Sequence, residues 1–179
     1  MVYKFRVILD SEEDVFRDIA IQSDDSLEDL HNAIVNAFGF DGMEIASFYT
    51  CDDQWNQEEE ISLFDTGDVV GEQKKMSDYP LSEILDKENT KIIYVYDFLN
   101  MWTFFVELAA MEEAEVGMIY PNTLFSHGEM PADAPEKDFS DSAENAFDYD
   151  EDDYDEDDLD MLDEGGENFE DFGFEENWN

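Results

Sequence analysis

Apolar and polar residues alternate along the first stretch of the chain, residues 2–9 (VYKFRVIL). Every second side chain is apolar, at Tyr3, Phe5, Val7 and Leu9. A period of two is typical of a β-strand with one buried face. Residues 15–22 (VFRDIAIQ) have a similar character and follow after a short polar connection, so the two segments predict a β-hairpin.

The period then changes to that of a helix. Between residues 26 and 38, apolar side chains recur three or four positions apart, at Leu27, Leu30, Ile34, Ala37 and Phe38. Such a stripe is typical of a helix that covers a sheet. Ser26 and Asp29 have the spacing of a capping box, and Gly39 is placed to end the helix.

Weaker patterns follow the helix. Residues 43–51 (MEIASFYTC) predict a third strand, and the acidic stretch from residue 52 to 78 predicts a loop with an irregular strand near residues 61–65. A proline at the start of residues 80–85 favours a short helix. Residues 91–98 and 103–112 predict two further strands. The order strand, strand, helix, strand, short helix, strand, strand indicates an α+β fold, with a single mixed sheet covered on one face by the 26–38 helix.

Charge divides the chain into two regions. The sequence has 51 acidic and 8 basic residues, a formal net charge of −43. Residues 1–137 contain 31 of the acidic and all 8 of the basic residues, whereas residues 138–179 contain 20 acidic and no basic residues. Close carboxylates cannot be buried together without large cost. We therefore predict a folded domain over residues 1–137 and a disordered acidic–aromatic tail over residues 138–179, with Pro131 and Pro135 at the boundary.

The charge also limits the classes of partner. Nucleic-acid affinity comes mainly from Lys and Arg that neutralise phosphates, so direct binding to DNA or RNA is disfavoured, as is an anionic membrane surface. No apolar run reaches the ~18 residues that a spanning helix needs. With a single cysteine, Cys51, and no signal-peptide pattern, the sequence predicts a cytoplasmic protein. A basic protein partner, or mimicry of nucleic acid, stays open.

Several short motifs, in order, resemble the plasmid pRiA4b ORF-3-like family, some members of which are labelled TnpR passengers of transposable elements. The resembling segments are Asp14–Arg17 (DVFR), Ala37–Phe40 (AFGF), Phe48–Tyr49, the Leu81–Leu85 segment, Tyr94–Phe104 (YVYDFLNMWTF) and Tyr120–Pro121. The resemblance implies an α+β fold but brings no established activity.

This chain departs from the family pattern at the polar positions. Leu99 and Asn100 stand where the family has Gly-Asp, and Phe104 stands where it has a histidine. The family's His-containing turn after the helix and its later cysteine are also missing. We therefore expect neither a metal or acid–base site of the family type nor a cofactor.

Asp97 is the first candidate functional residue, because it interrupts the most aromatic stretch of the chain. A general acid or base needs a second titratable group nearby, and its polar neighbour Asn100 cannot titrate. The favoured interpretation is a turn in which Asx side chains bind backbone amides. Contact with a ligand or partner is the alternative, through Tyr96, Asp97, Asn100 and Trp102.

The other reactive residues are isolated. We expect His31 to flank the core or face solvent, and His127 to lie in a loop. Cys51 precedes Asp52 and Asp53, which would raise the pKa of its thiol, so it is expected to be inert.

The leading functional hypothesis is a non-enzymatic interaction protein whose tail engages a basic partner. Dense carboxylates would steer the encounter and single aromatic side chains would supply the contact area, above all Phe169, Phe172, Phe174 and Trp178. Three alternatives stay open: a purely solubilising tail, a degenerate enzyme with a pocket near Phe48, Tyr94, Tyr96 and Trp102, and a nucleic-acid mimic. The sequence leaves the oligomeric state open.

Overall fold

A computed structural model describes residues 1–65, 67, 71 and 73–135. Within these residues the elements are β1 (Val2–Leu9), β2 (Phe16–Gln22), α1 (Leu27–Phe38), β3 (Ala46–Cys51), β4 (Gln57–Ser62), α2 (Leu81–Ile84), β5 (Lys91–Tyr96), β6 (Trp102–Glu112) and β7 (Asn122–His127). A 3-10 helix spans Met76–Asp78. No helix in this part of the chain is long and apolar enough to cross a bilayer. The predicted tail, residues 138–179, lies outside the described residues.

The seven strands form one sheet in the order β4-β3-β5-β6-β1-β2-β7, which confirms the predicted α+β class. Its ladders are all antiparallel rather than mixed, although one isolated parallel bridge joins Ser62 to Lys75. The two predicted hairpins are present, β1 with β2 and β5 with β6.

The sheet differs from the prediction at several points, and the strand predicted over residues 91–98 ends at Tyr96. The third strand begins at Ala46, so Met43–Ile45 belong to the preceding loop. Strand β4 begins at Gln57, inside the stretch that was expected to be a loop. Its glutamates are poor strand formers, but cross-strand bonds compensate: the Ser47 hydroxyl donates to Glu60 Oε1 (2.9 Å), and the Glu59 N–H donates to Thr50 Oγ1 (3.1 Å). Strand β7 was not foreseen, because its side chains are almost all exposed and show no alternation.

Helix α1 has the caps that the sequence predicts. The Asp29 N–H donates to Ser26 Oγ (3.2 Å), and the Ser26 N–H donates to the Asp29 carboxylate (2.9 Å). Gly39 ends the helix with a φ of 78°, a left-handed conformation that glycine adopts without steric cost.

The core lies between α1 and one face of the sheet, as predicted. Phe38 of the helix meets Phe104 of β6 with ring centroids 4.6 Å apart. Tyr94 and Phe48 from the two neighbouring strands complete this aromatic layer, at 4.9 Å from each other. The opposite face of the sheet carries no described helix, and Trp55 packs there on Phe105 at 4.9 Å.

One buried cation was not anticipated. The Arg17 guanidinium of β2 donates to three main-chain carbonyls, those of Ala37 (3.2 Å), Phe16 (2.9 Å) and His127 (2.8 Å). It also lies over the Phe38 ring, 5.0 Å from the centroid. Arg17 thus joins the end of α1 to the edge strand β7, and burial lowers the pKa of its guanidinium.

Candidate functional site

The β5–β6 connection, residues 97–101, is a tight turn built on Asp97. Its carboxylate accepts hydrogen bonds from the main-chain N–H of Leu99 (3.1 Å) and Asn100 (3.4 Å), and from the Asn100 side-chain amide. Asp97 itself has a φ of 61°, a conformation that Asp and Asn tolerate better than other residues with a side chain. This geometry confirms the predicted Asx turn, and it engages the polar groups of Asp97 and Asn100 with each other.

Tyr96 and Trp102 lie behind the turn, in the core. They face each other across the hairpin, and Trp102 is only 9% exposed. Both rings contact Phe40, Tyr96 stacked at 4.3 Å and Trp102 edge-on at 5.4 Å. Of the four candidate contact residues in this hairpin, the structure therefore exposes the side chain of Asn100 and part of Asp97, and buries the two aromatic rings.

The Tyr96 hydroxyl connects the hairpin to the loop after α1. It donates to Asp41 Oδ1 (2.8 Å) and accepts from the Gly42 N–H (3.1 Å). Burial, followed by the bond to Asp41, raises the pKa of Tyr96. The N–H of Met43, followed by the Tyr96 hydroxyl, lowers the pKa of Asp41. A main-chain hydrogen bond also joins the hairpin to this loop: the Asp97 N–H donates to the Ile45 carbonyl (2.8 Å).

These two loops together expose a group of large apolar side chains, which we call the turn patch. Leu99 is 91% exposed and Met43 is 82% exposed. The members of the turn patch are Met43, Ile45, Phe98, Leu99 and Met101. Sequence reasoning missed it because Met43 and Ile45 were placed in a strand; Asp41 and Gly42 just before them were the available turn signal.

Three loops at this end of the sheet are rich in carboxylates. The β1–β2 turn reaches the same end of the sheet, where the Asp10 N–H donates to the Thr103 carbonyl (2.8 Å). No Lys or Arg occurs in residues 10–14, 40–45 or 97–101. The acidic residues in these three loops are Asp10, Glu12, Glu13, Asp14, Asp41, Glu44 and Asp97.

The structure brings two titratable side chains together in the core. His31 is 3% exposed, and its Nδ1 lies 2.7 Å from the Tyr94 hydroxyl in a hydrogen bond. This corrects the expectation that His31 flanks the core or faces solvent: its face of α1 meets Tyr94 of β5. Burial lowers the pKa of His31 to about 4 and raises that of Tyr94 well above its usual value. Both side chains are closed off from solvent, so the pair has the surroundings of a structural contact rather than of a catalytic base.

The suggested enzyme pocket coincides with packed side chains. Phe48 and Tyr94 are fully buried, and Tyr94 lies 5.8 Å from Phe104, ring to ring. A depression beside β4 is lined partly by Glu59, Glu60 and Lys74. Its charges are engaged, because Glu59 forms an ion pair with Lys74 and Glu60 accepts from Ser47.

The remaining reactive residues are separate from one another. Burial first, and then Asp52 and Glu58, raises the pKa of the Cys51 thiol to about 11, which makes a poor nucleophile. The expectation that His127 lies in a loop was wrong: it is the last residue of the edge strand β7, and its ring stacks on Phe16 at 5.1 Å. Among the described residues, no three His, Cys, Asp or Glu side chains are grouped as metal ligands would be. The four candidate tail contacts, Phe169, Phe172, Phe174 and Trp178, lie outside the described residues.

A family model and a solved structure match this chain. A family model described as "Plasmid pRiA4b ORF-3-like protein" matches residues 1–177. The crystal structure of a protein of unknown function, MM3350 from Methanosarcina mazei Go1, is similar with a TM-score of 0.61 and 22% sequence identity, covering 70% of this chain and 68% of that chain. No curated protein matches the sequence. At this identity, the solved structure supports a shared fold.

Proposed function

The chain belongs to the plasmid pRiA4b ORF-3-like family, and on this premise we propose that it is a non-enzymatic protein-interaction module whose acidic–aromatic tail, residues 138–179, engages a basic protein partner. The observation that carries this proposal is the composition of the tail, in which 20 carboxylates and no basic residue occur in 42 positions, with aromatic side chains placed singly between them.

Such a tail suits binding to a basic protein because its charges and its aromatic side chains contribute in different ways. Carboxylates accelerate the encounter with a cationic surface over long range. Aromatic side chains add contact area that salt does not screen. The folded part supports the same partner class, since residues 1–137 add a net charge of −23. The proposal includes a cytoplasmic location, which suits a chain whose single cysteine, Cys51, cannot form an internal disulfide. It also includes a role linked to mobile elements.

Capture from a native cell extract tests the proposal, with three forms of the protein as bait: the full chain, residues 1–137, and a full chain with Phe169, Phe172, Phe174 and Trp178 replaced by Ser. The last form keeps every charge. We expect a basic protein to be retained by the full chain only, and to be lost steeply as salt rises above ~0.1 M, where the screening length falls below ~10 Å.

A capture profile that is identical for all three forms at low and high salt would refute the proposal and favour a solubilising tail. Retention by the Ser form would show that charge alone suffices. Circular dichroism of residues 1–137 provides the control that truncation leaves the domain folded.

A further inference from the structure

We propose that the turn patch is a second docking surface, which receives an amphipathic segment of a partner protein that carries apolar side chains flanked by Lys or Arg. This inference deepens the proposed function, on which it rests for the class of partner. It assigns to the folded domain a binding role of its own, separate from that of the tail.

The first support is the concentration of apolar surface. Leu99 and Met43 expose most of their side chains, and Ile45, Phe98 and Met101 are also exposed. Clustered apolar side chains on a surface are typical of interaction sites, whereas single ones need no explanation. Here two loops that are distant in sequence are tied together by the bond from the Asp97 N–H to the Ile45 carbonyl.

The second support is that hydrogen bonds order both loops of the turn patch. Asp97 fixes one loop through the N–H groups of Leu99 and Asn100. The Tyr96 hydroxyl fixes the other through Asp41 and Gly42. A preorganised surface loses less conformational entropy on binding, so apolar contacts there add more to affinity.

The third support is charge complementarity, which selects the occupant. Three loops at this end of the sheet, residues 10–14, 40–45 and 97–101, contain seven carboxylates and no Lys or Arg. The segment after β4 reaches the same end, where the Leu63 N–H donates to the Ala46 carbonyl (3.0 Å); it contains Lys74 and Lys75, and Lys74 is paired with Glu59. A partner rich in Asp or Glu, or a nucleic acid, would be repelled, and a second copy of this chain would bring the same negative loops. A segment with apolar side chains flanked by Lys or Arg matches both the apolar turn patch and the acidic residues of the loops that form this end of the sheet.

A matched control surface exists at the opposite end of the sheet. The connection after β6 exposes Val116 and Ile119, and Ile119 is 84% exposed. Strand β6 runs from Trp102 to Glu112, so about 33 Å of strand, at about 3.3 Å per residue, separates the two ends.

The test uses the full chain and two synthetic peptides: an amphipathic Leu/Lys helix, and its counterpart with every Leu replaced by Ser at unchanged charge. Two-dimensional amide NMR locates each peptide. We expect the Leu/Lys peptide, and not the Ser/Lys peptide, to shift the amides of residues 43–45 and 98–101. Leu99→Ser combined with Met43→Ser should weaken its affinity about tenfold, because two exposed apolar contacts are removed and the backbone bonds of the turn stay. Ile119→Ser combined with Val116→Ser should leave the affinity unchanged.

Shifts confined to residues outside the turn patch, or equal losses in the two double variants, would overturn the assignment. The role of the acidic loops is tested by the double variant Glu13→Gln with Glu44→Gln, which we expect to bind the Leu/Lys peptide more weakly at low salt. Unchanged binding of this peptide would overturn the choice of a basic partner. The two proposals fail separately. If the peptide shifts the tail amides but not those of the turn patch, only the proposal for the turn patch is refuted. If it shifts the turn patch but not the tail, only the proposal for the tail is refuted.

Discussion

Acid should destabilise the domain through His31 in a way that can be isolated. The side chain is buried and hydrogen-bonded to Tyr94, and its pKa falls from the usual 6.5 to about 4. As the pH falls below 6.5, the unfolded chain takes up a proton on His31 while the folded chain does not. His31 therefore leaves the free energy of unfolding unchanged above pH 6.5 and lowers it progressively between pH 6.5 and 4. Below pH 4 the loss is complete and does not grow further.

The size of the effect follows from the difference between the two pKa values. At about 1.4 kcal/mol for each pH unit, the difference corresponds to about 3 kcal/mol. Carboxylates also titrate in this range, so the measurement must be a difference between two proteins. His31→Gln keeps an amide that can bond the Tyr94 hydroxyl and removes the titration.

Urea unfolding, followed by tryptophan fluorescence at several pH values, gives the free energy of unfolding of the parent and of His31→Gln. The parent should lose about 2–3 kcal/mol more than the variant between pH 7 and 4. A parent-to-variant difference that stays constant over this range, or an NMR titration of the His31 ring near pH 6.5, would refute the burial argument.

Four further outcomes are expected. Trp102→Ala should lower the free energy of unfolding by about 3 kcal/mol, since the ring is buried against Phe40; equal stability in urea would show the ring to be dispensable. Asp97→Asn should cost about 0.5–1 kcal/mol, because the amide oxygen of Asn can accept from the Leu99 and Asn100 N–H groups at the same φ but its Nδ2 cannot accept the bond from the Asn100 side chain, whereas Asp97→Ala should cost about 1–2 kcal/mol. Gly128→Ala should cost more than Gly39→Ala in thermal unfolding, because the added methyl would lie 2.5 Å from the Asp14 carbonyl oxygen at the first site and meet nothing within 4 Å at the second. Limited proteolysis with a protease that cleaves after acidic residues should remove the predicted tail first, leaving a fragment that ends between His127 and residue 140; protection of residues 148–164 would contradict the tail.

The parts of the fold that sequence predicts well are those fixed by local chemistry. Helix α1 has its apolar stripe, its Ser26–Asp29 box and its terminal Gly39 within fourteen consecutive residues. The Asx turn at Asp97 is equally local. Such features need only neighbouring residues to form, so periodicity and capping rules identify them.

The parts that were missed depend on contacts between distant residues. Strand β4 owes its place to Ser47 and Thr50 of the adjacent strand, against the preference of its own glutamates. His31 is buried because Tyr94, 63 residues away, presents a hydroxyl to it. The turn patch likewise arises where two separate loops meet, and neither loop by itself has the pattern of a binding site.

The contacts of Arg17 have a consequence for the edge strand β7. An exposed strand at the margin of a sheet ordinarily frays, and its free backbone can then pair with another chain. Here detachment of β7 would take the His127 carbonyl away from a buried guanidinium, leaving a charge with one fewer partner in the interior. Amide hydrogens in β7 should therefore exchange together with those in the last turn of α1, as one cooperative unit. The buried cation thus protects the margin of the sheet from opening, and so from the aggregation that a loose edge would invite.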